Sequence, residues 1–372
     1  MWAMCLRVWA LTIKEWLAVL KDKRSRLSLI MPPLVQCLIY GYAATYDLNH
    51  IPYAWLDNDR GAASQALYAK FAGSGVFDLR ATPPNAEQAR RLISEREALL
   101  IVQIETDFQR HLELGEPAAV QVIADGRNSN TAAAATAYAS AIVDQFNVEW
   151  RAAHGAPPPP LQVFSRSWYN PNLETRWYMA PSMIATLSLV QTMMLTALSV
   201  AREREQGTFD QLLVTPYSAN EIMLGKALPA MFIGLGQASL VVVVAQLWFH
   251  IPFAGSYLTL YAGLSAFMLA AVGAGLLISA FSATMQQAML YTFFLLMPFM
   301  LLSGLTTPIG NMPESLQYLT LMNPLRFALT LVQRVYLEGA DLALLRPYFM
   351  PLLIIGALSL SGAALLFRYR LN

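Results

Sequence analysis

The chain has 372 residues, 56% of them hydrophobic and only 13% charged, against about 25% charged in ordinary soluble proteins. That deficit points to an integral membrane protein. The formal net charge of +1 gives a nucleic-acid partner no electrostatic support.

Residues 2–20 carry Trp2, Leu6, Trp9, Ile13, Trp16, Leu17 and Leu20 at helical spacing, interrupted by Arg7, Lys14 and Glu15. This pattern predicts a helix lying in the membrane interface, with packing on a partner subunit as the alternative. The layout is not that of a signal peptide. Lys21, Lys23, Arg24 and Arg26 follow and mark the cytoplasmic side, closing a first segment at residue 26. Leu27 to Tyr46 is uncharged and long enough for a first span, with Pro32 and Pro33 in its first third.

Residues 47–176 are polar and contain no window able to span. They predict a folded α/β domain on the outer side. Strands are expected at Ile51–Leu56, Ala98–Ile104 and Ala119–Ala124, and helices at Ser64–Phe71, Ala86–Arg96 and Ala132–Trp150. Pro157–Pro160 reads as a stiff spacer and Leu161–Trp168 as a returning strand. The domain carries no cysteine, so disulfides do not hold it. His50, His111, His154 and His250 share no metal-ligand spacing, and no GxSxG elbow is present. The domain therefore reads as a binding or docking module, and no metal is expected on the chain.

The remainder, 177–372, reads as five more spans: Trp177–Val200, Ala219–Leu247, Tyr257–Phe281, Ala288–Leu305 and Pro347–Phe367. Gly263, Gly273 and Gly275 would let neighbouring helices approach the fourth span. Thr306–Leu345 is too polar and too often broken by Pro and Gly to cross, and is expected to dip into or lie on the outer leaflet. Arg368 and Arg370 close the chain on the inside. The sum is an α-helical integral membrane protein with six transmembrane helices, both termini cytoplasmic, and an inserted α/β extracytoplasmic domain.

The spans contain no Asp or Glu in their interiors, which argues against ion-driven transport. No Walker-type phosphate loop is present either; Gly225-Lys226-Ala227 lacks the following Ser or Thr and the properly spaced glycine. The chain is thus expected to be a transport subunit that takes its energy from another chain, with no catalytic residues of its own.

The place to receive that energy is Ala201–Pro216, AREREQGTFDQLLVTP, within the 201–218 connection of the second and third spans. Its alternating charges, its glycine break and its short amphipathic Thr208–Val214 predict a docking surface, a solvated loop being the plain alternative. The string closely resembles the cytoplasmic elbow of the type-2 permeases of ATP-binding-cassette (ABC) exporters. VQVIADGRNSNTA (Val120–Ala132), YNPNLETRWYMAPSM (Tyr169–Met183) and SGLTTPIGNMPESLQYLTLMNPLRFAL (Ser303–Leu329) are similar to the drug-exporter-like branch of that family. Two departures stand out: Pro181-Ser182 where Pro-Gly is usual, and no proline in IVQIETDF (Ile101–Phe108).

The resemblance implies a dimeric permease, formed with a second copy or a paralogue, above two cytoplasmic ATPases that carry ATP and Mg. It implies a bacterial inner membrane, a periplasmic domain and a membrane-fusion protein as a further partner. Arg202, Glu203, Arg204, Glu205, Gly207, Thr208, Gln211, Leu212 and Pro216 are the residues it sets against the ATPase. Leu187, Gln191, Met194, Phe293, Phe294, Met297 and Phe299, on spans two and five, are its candidate cavity residues for amphipathic or hydrophobic compounds. Asn323, Pro324, Leu325 and Arg326 form the outer re-entrant motif. A non-transporting scaffold that recruits an ATPase and tethers envelope partners is the alternative.

Overall fold

The computed structural model describes residues 2–21, 23–43, 48, 50–155, 168–171, 174–207 and 218–371. The expected polyproline spacer, nearly all of the expected returning strand, and Thr208 to Pro216 of the elbow lie outside the described residues. The chain divides into two compact units, Met1–Ala44 with Ser167–Asn372, and Thr45–Arg166.

The smaller unit holds four strands, β1 (Ile51–Asp57), β2 (Phe77–Ala81), β3 (Leu100–Ile104) and β4 (Val120–Ala124), in the order β2-β1-β3-β4. β1 runs parallel to β2 and β3, while β4 returns antiparallel to β3. Central β1 is buried along nearly its whole length because both faces are covered. Ile51, Tyr53 and Trp55 join Leu100, Val102 and Ile104 in a core with α3 (Ala62–Gly73), α5 (Phe108–Leu114) and α6 (Ser129–Ala153). Ala54, Leu56 and Ile101 pack on the other side with α4 (Ala86–Ser94). Asn85 and Asn128 cap α4 and α6, each side chain accepting a backbone amide three residues on. β2 and α5 are additions to the elements expected from sequence, and α6 is longer at both ends than the Ala132–Trp150 helix expected.

In the larger unit, α1 (Trp2–Lys21) and α2 (Lys23–Ala43) precede the smaller unit in sequence. After it come α7 (Thr175–Glu205), α8 (Ala219–Leu247), α9 (Tyr257–Phe281), α10 (Met285–Leu301), α11 (Glu314–Leu319), α12 (Pro324–Gln333) and α13 (Leu342–Leu371). Four described helices are long and apolar enough to cross a membrane: α7, α8, α9 and α13. The apolar stretches Leu29–Tyr42 and Met285–Leu301 are shorter. At 1.5 Å per residue α10 measures roughly 26 Å, less than the roughly 30 Å of hydrocarbon. The expected span to Leu305 is cut short because the chain turns at Leu302 and Ser303 before Gly304, whose φ of +91° is barred to a helix. α13 instead begins five residues before the expected Pro347 and takes Pro347 and Pro351 into its body.

α9 is the hub, with most of its length buried, while α13 exposes most of its surface. Gly275 lets α9 meet α7 closely, since a Cβ there would collide with the Thr196 hydroxyl. α7 runs unbroken through Pro181-Ser182. Three of its buried hydroxyls return to their own helix: Ser182 donates to Tyr178 O at 2.7 Å, Thr186 to Ser182 O at 3.0 Å and Ser188 to Ile184 O at 2.6 Å. Backbone carbonyls thus satisfy polar groups that hydrocarbon would leave stranded.

Candidate functional site

The charges after the second apolar run belong to the last turn of α7, which continues to Glu205 instead of ending at Val200. Arg202 and Arg204 there complement the negative end of the helix dipole. Gln206 and Gly207 stop the helix, their amides reaching Arg202 O and Arg204 O, with Gly207 at φ +69° in the left-handed region that favours glycine.

The four charged side chains do not share one role. Arg202 is exposed. Arg204 lies over the end of α9, its Nη1 donating to Ala280 O at 3.2 Å and Ser282 O at 2.8 Å. Glu205 Oε2 accepts the Met285 amide at 2.8 Å, at the first residue of α10. Glu203 turns inward, its Oε1 standing 2.8 Å from Lys226 Nζ of α8. The same ammonium donates to Glu15 Oε1 of α1 at 3.1 Å. Beside it, Ser218 and Glu221 form a reciprocal capping box at the start of α8, and Arg7 of α1 approaches Glu221 at 3.9 Å. Arg202, Glu205, Gln206 and Gly207 are the exposed described residues of the elbow. Thr208, Gln211, Leu212 and Pro216 lie outside the described residues.

The candidate cavity residues are dispersed. Leu187 is 5% exposed within the core, Gln191 and Met194 are half-buried, and Phe299 packs partly against the core. Phe293, Phe294 and Met297 are exposed on the side of α10 away from Ala288, Thr292 and Leu296, which alone on that helix are buried.

The outer motif is compact. Asn323 donates from Nδ2 to Phe299 O at 2.7 Å, while its Oδ1 accepts the Leu325 amide at 3.0 Å. One side chain therefore closes the end of α10 and caps the start of α12, where Pro324 occupies the first turn and needs no amide partner. Leu325 is buried, and Arg326 reaches back to Gln317 O and to the Thr320 hydroxyl. Gln333 Nε2 donates to Ser182 Oγ at 2.8 Å, so α12 is tied to α7 as well.

Among the described residues no group of three or more His, Cys, Asp or Glu is arranged to hold a metal. The most perturbed surface carboxyl in the smaller unit is Asp125. Hydrogen bonds from the Arg127 guanidinium, then from the Arg127 amide, hold it down at about 2. The sequence places Lys226 near the inner end of the third span and shows it as a failed phosphate-loop lysine, but its partners Glu15 and Glu203 lie too far apart in the chain for any spacing rule to find.

The profile of the ABC-2 family transporter proteins matches residues 23–365. The chain is 39% identical over 363 residues to the probable multidrug ABC transporter permease YbhR of Escherichia coli K12, covering 97% of this chain and 98% of the relative. It is 30% identical over 338 residues to the probable multidrug ABC transporter permease YbhS of the same strain, covering 90% and 89%. A third relative there, the inner membrane transport permease YhhJ, is 26% identical over 367 residues, 97% and 96% of the two chains. With its apolar helices, its charged α7 end and these matches along nearly its full length, this multi-pass membrane protein belongs to the ABC-2 family of transporter proteins, the type-2 ABC permeases.

Proposed function

We propose that the chain is the membrane-spanning subunit of an exporter of amphipathic or hydrophobic compounds, driven by a separate ATPase that binds ATP and Mg. Six crossings, with α2 and α10 completed by neighbouring residues or a thinned bilayer, put both termini in the cytoplasm and residues 47–176 in the periplasm of an inner membrane. Two such subunits, or this chain and a paralogue, face each other, and a periplasmic membrane-fusion protein is a further partner.

The observation that carries this reading is the clip formed by Arg204 and Glu205. These neighbours bind the end of α9 and the start of α10 respectively. A push delivered by an ATPase to Arg202, Gly207 and the residues up to Pro216 would therefore reach three helices at once. Packed helices move as rigid bodies between discrete arrangements, and here the displacement would open the α7 and α10 surfaces toward the other side. The relatives named as multidrug permeases support varied apolar cargo, and exposed Phe293, Phe294 and Met297 are suited to it.

The test is purification of the tagged chain from native membranes in mild detergent, followed by ATPase assay. Activity should co-purify with the wild type and fall at least ten-fold when Arg202→Glu and Glu205→Lys are combined. Intact wild-type chain that never brings ATPase activity with it would overturn the assignment.

A further inference from the structure

Lys226 is a lysine inside a membrane helix, 5% exposed at its side chain, with no part in the clip described above. An ammonium so far from water persists when carboxylates surround it. Here there are two, Glu203 at 13% exposed and Glu15 at 27%, at 2.8 and 3.1 Å from one nitrogen that has three N–H donors. They come from different helices, Glu15 of α1 being 211 residues from Lys226 and Glu203 closing α7. The joint therefore ties together α1, α7 and α8.

α1 has a second feature that gives this joint a purpose. Leu6, Trp9, Ile13, Trp16 and Leu17 are exposed and share one arc of the helix, while buried Val8 and Thr12 and half-buried Glu15 share another. An apolar arc rich in Trp, exposed from Leu6 to Leu17 with Trp16 edge-on to Phe232 of α8, on a helix bonded to the chain through Glu15, fits the lipid surface.

We infer that Lys226 is a positioning residue that fastens the lipid-surface helix α1 to the charged end of α7, so that a displacement of that end is passed to α1. This rests on the elbow reading for the origin of the displacement, but not for the fastening itself. Glu203 is two residues from Glu205, so any movement of the clip moves it. Without Lys226 the two carboxylates would face each other across an uncharged gap and drive α1 away from α7.

The fastening is measured on the full chain in lipid nanodiscs, without any ATPase. Cys5 and Cys37 are replaced by Ser, and spin labels are placed at Lys14→Cys and Gln206→Cys, both exposed positions. Electron-electron distances should be narrowly distributed, and Lys226→Met should at least double the width. Should Lys226→Met fail to fold, Glu15→Gln removes one arm, leaves the Lys226–Glu203 pair and should broaden the distances in the same sense. Unchanged widths in the folded variant would overturn the proposal. Transmission is then read in proteoliposomes with the ATPase, where the variant should move at least five-fold less compound per ATP hydrolysed. Broadened distances with an unchanged ratio would overturn transmission and leave a packing contact only. Failure of the elbow reading would show separately, as a wild type that recruits no ATPase while its distances still respond to Lys226→Met.

Discussion

Arg204 donates to the Ser282 carbonyl at 2.8 Å, closing the end of α9 from the last turn of α7. Its partly buried guanidinium also serves Ala280 O, so truncation strands two carbonyls that the helix end cannot bond internally. Arg204→Ala should cost about 2 kcal/mol, the range for charge-assisted hydrogen bonds lost from a sheltered site. Glu205→Ala removes one bond from an exposed helix start and should cost about 0.5 kcal/mol. Hydrogen exchange checks this: apart from the Met285 amide, which Glu205 itself accepts, amides of 282–288 should exchange at least ten-fold faster in Arg204→Ala and less than three-fold faster in Glu205→Ala.

Reversing Glu203 and reversing Glu205 should have different consequences. Glu205→Lys places a cation at an exposed helix start and should leave the amount of folded protein in membranes within two-fold of wild type. Glu203→Lys sets an ammonium against the buried Lys226. Breaking a buried pair and adding a like charge costs roughly 3 kcal/mol or more, so the folded yield should fall at least five-fold. Fluorescence-detected size exclusion on detergent extracts separates the two. Equal yields would mean that Glu203 faces solvent in the assembled protein.

Two of the long helices, α8 and α9, are easy to read because their ends are written locally. Ser218 begins α8 with a Ser-x-x-Glu capping box, and Ser256 and Ser282 bracket α9, so both helices keep the bounds that the apolar runs predict. β2 is different. FDLRA mixes apolar and charged residues, and it is a strand because it pairs with β1 across a crossover. α5 is a seven-residue helix that starts after Asp107 in the left-handed region, a conformation no pattern of apolar residues announces. The elbow was legible as a charged string, but the division of labour within it was not. The partners of Glu203, Arg204 and Glu205 lie on α8, α9 and α10, and alternation of charge looks the same whether side chains face water or a neighbouring helix.

Asn323 is 2% exposed and engages both of its polar ends. Asn323→Ala leaves the Phe299 carbonyl and the Leu325 amide without their partners and should cost about 2–3 kcal/mol, a cap plus a buried hydrogen bond. Asn323→Asp keeps the acceptor for Leu325 but loses the donor to Phe299 O and places negative charge against a carbonyl. It should therefore be no better than Ala, although it is the closer isostere and a good cap elsewhere. Thermal unfolding in detergent should show both variants several degrees below wild type. A stable Asp variant would show that the Nδ2 bond contributes little.

Asp125 gives the smaller unit a defined acid response. Arg127 donates to both carboxylate oxygens, at 2.8 and 2.9 Å from Nε and 2.6 Å from Nη2. The folded-state value of about 2 lies below the ordinary 3.8. A depressed carboxyl contributes stability that is fully present above 3.8 and is lost as pH falls toward 2. Asp125→Asn should lower the thermal midpoint of the smaller unit at pH 5, and the gap from wild type should narrow through that window and vanish near its lower end. A gap that is constant with pH would mean that the pair does not form in solution.

Leu187 and Phe294 separate packing from cargo contact among the candidate cavity residues. Leu187 is enclosed by the core of the larger unit, so Leu187→Ala should cost about 2–5 kcal/mol through lost burial and the cavity left behind. Altered export in that variant would say nothing specific about ligands. Phe294 is 71% exposed in the single chain, and its truncation removes little intrachain contact, so Phe294→Ala should leave the folded yield within two-fold. If the exposed face of α10 meets cargo, Phe294→Ala with Met297→Ala should change the ranking of exported compounds by at least four-fold in minimum inhibitory concentration for some and not others. A uniform loss across all compounds would instead place that face at a contact between the two permease subunits. An unchanged profile with normal yield would assign it to lipid.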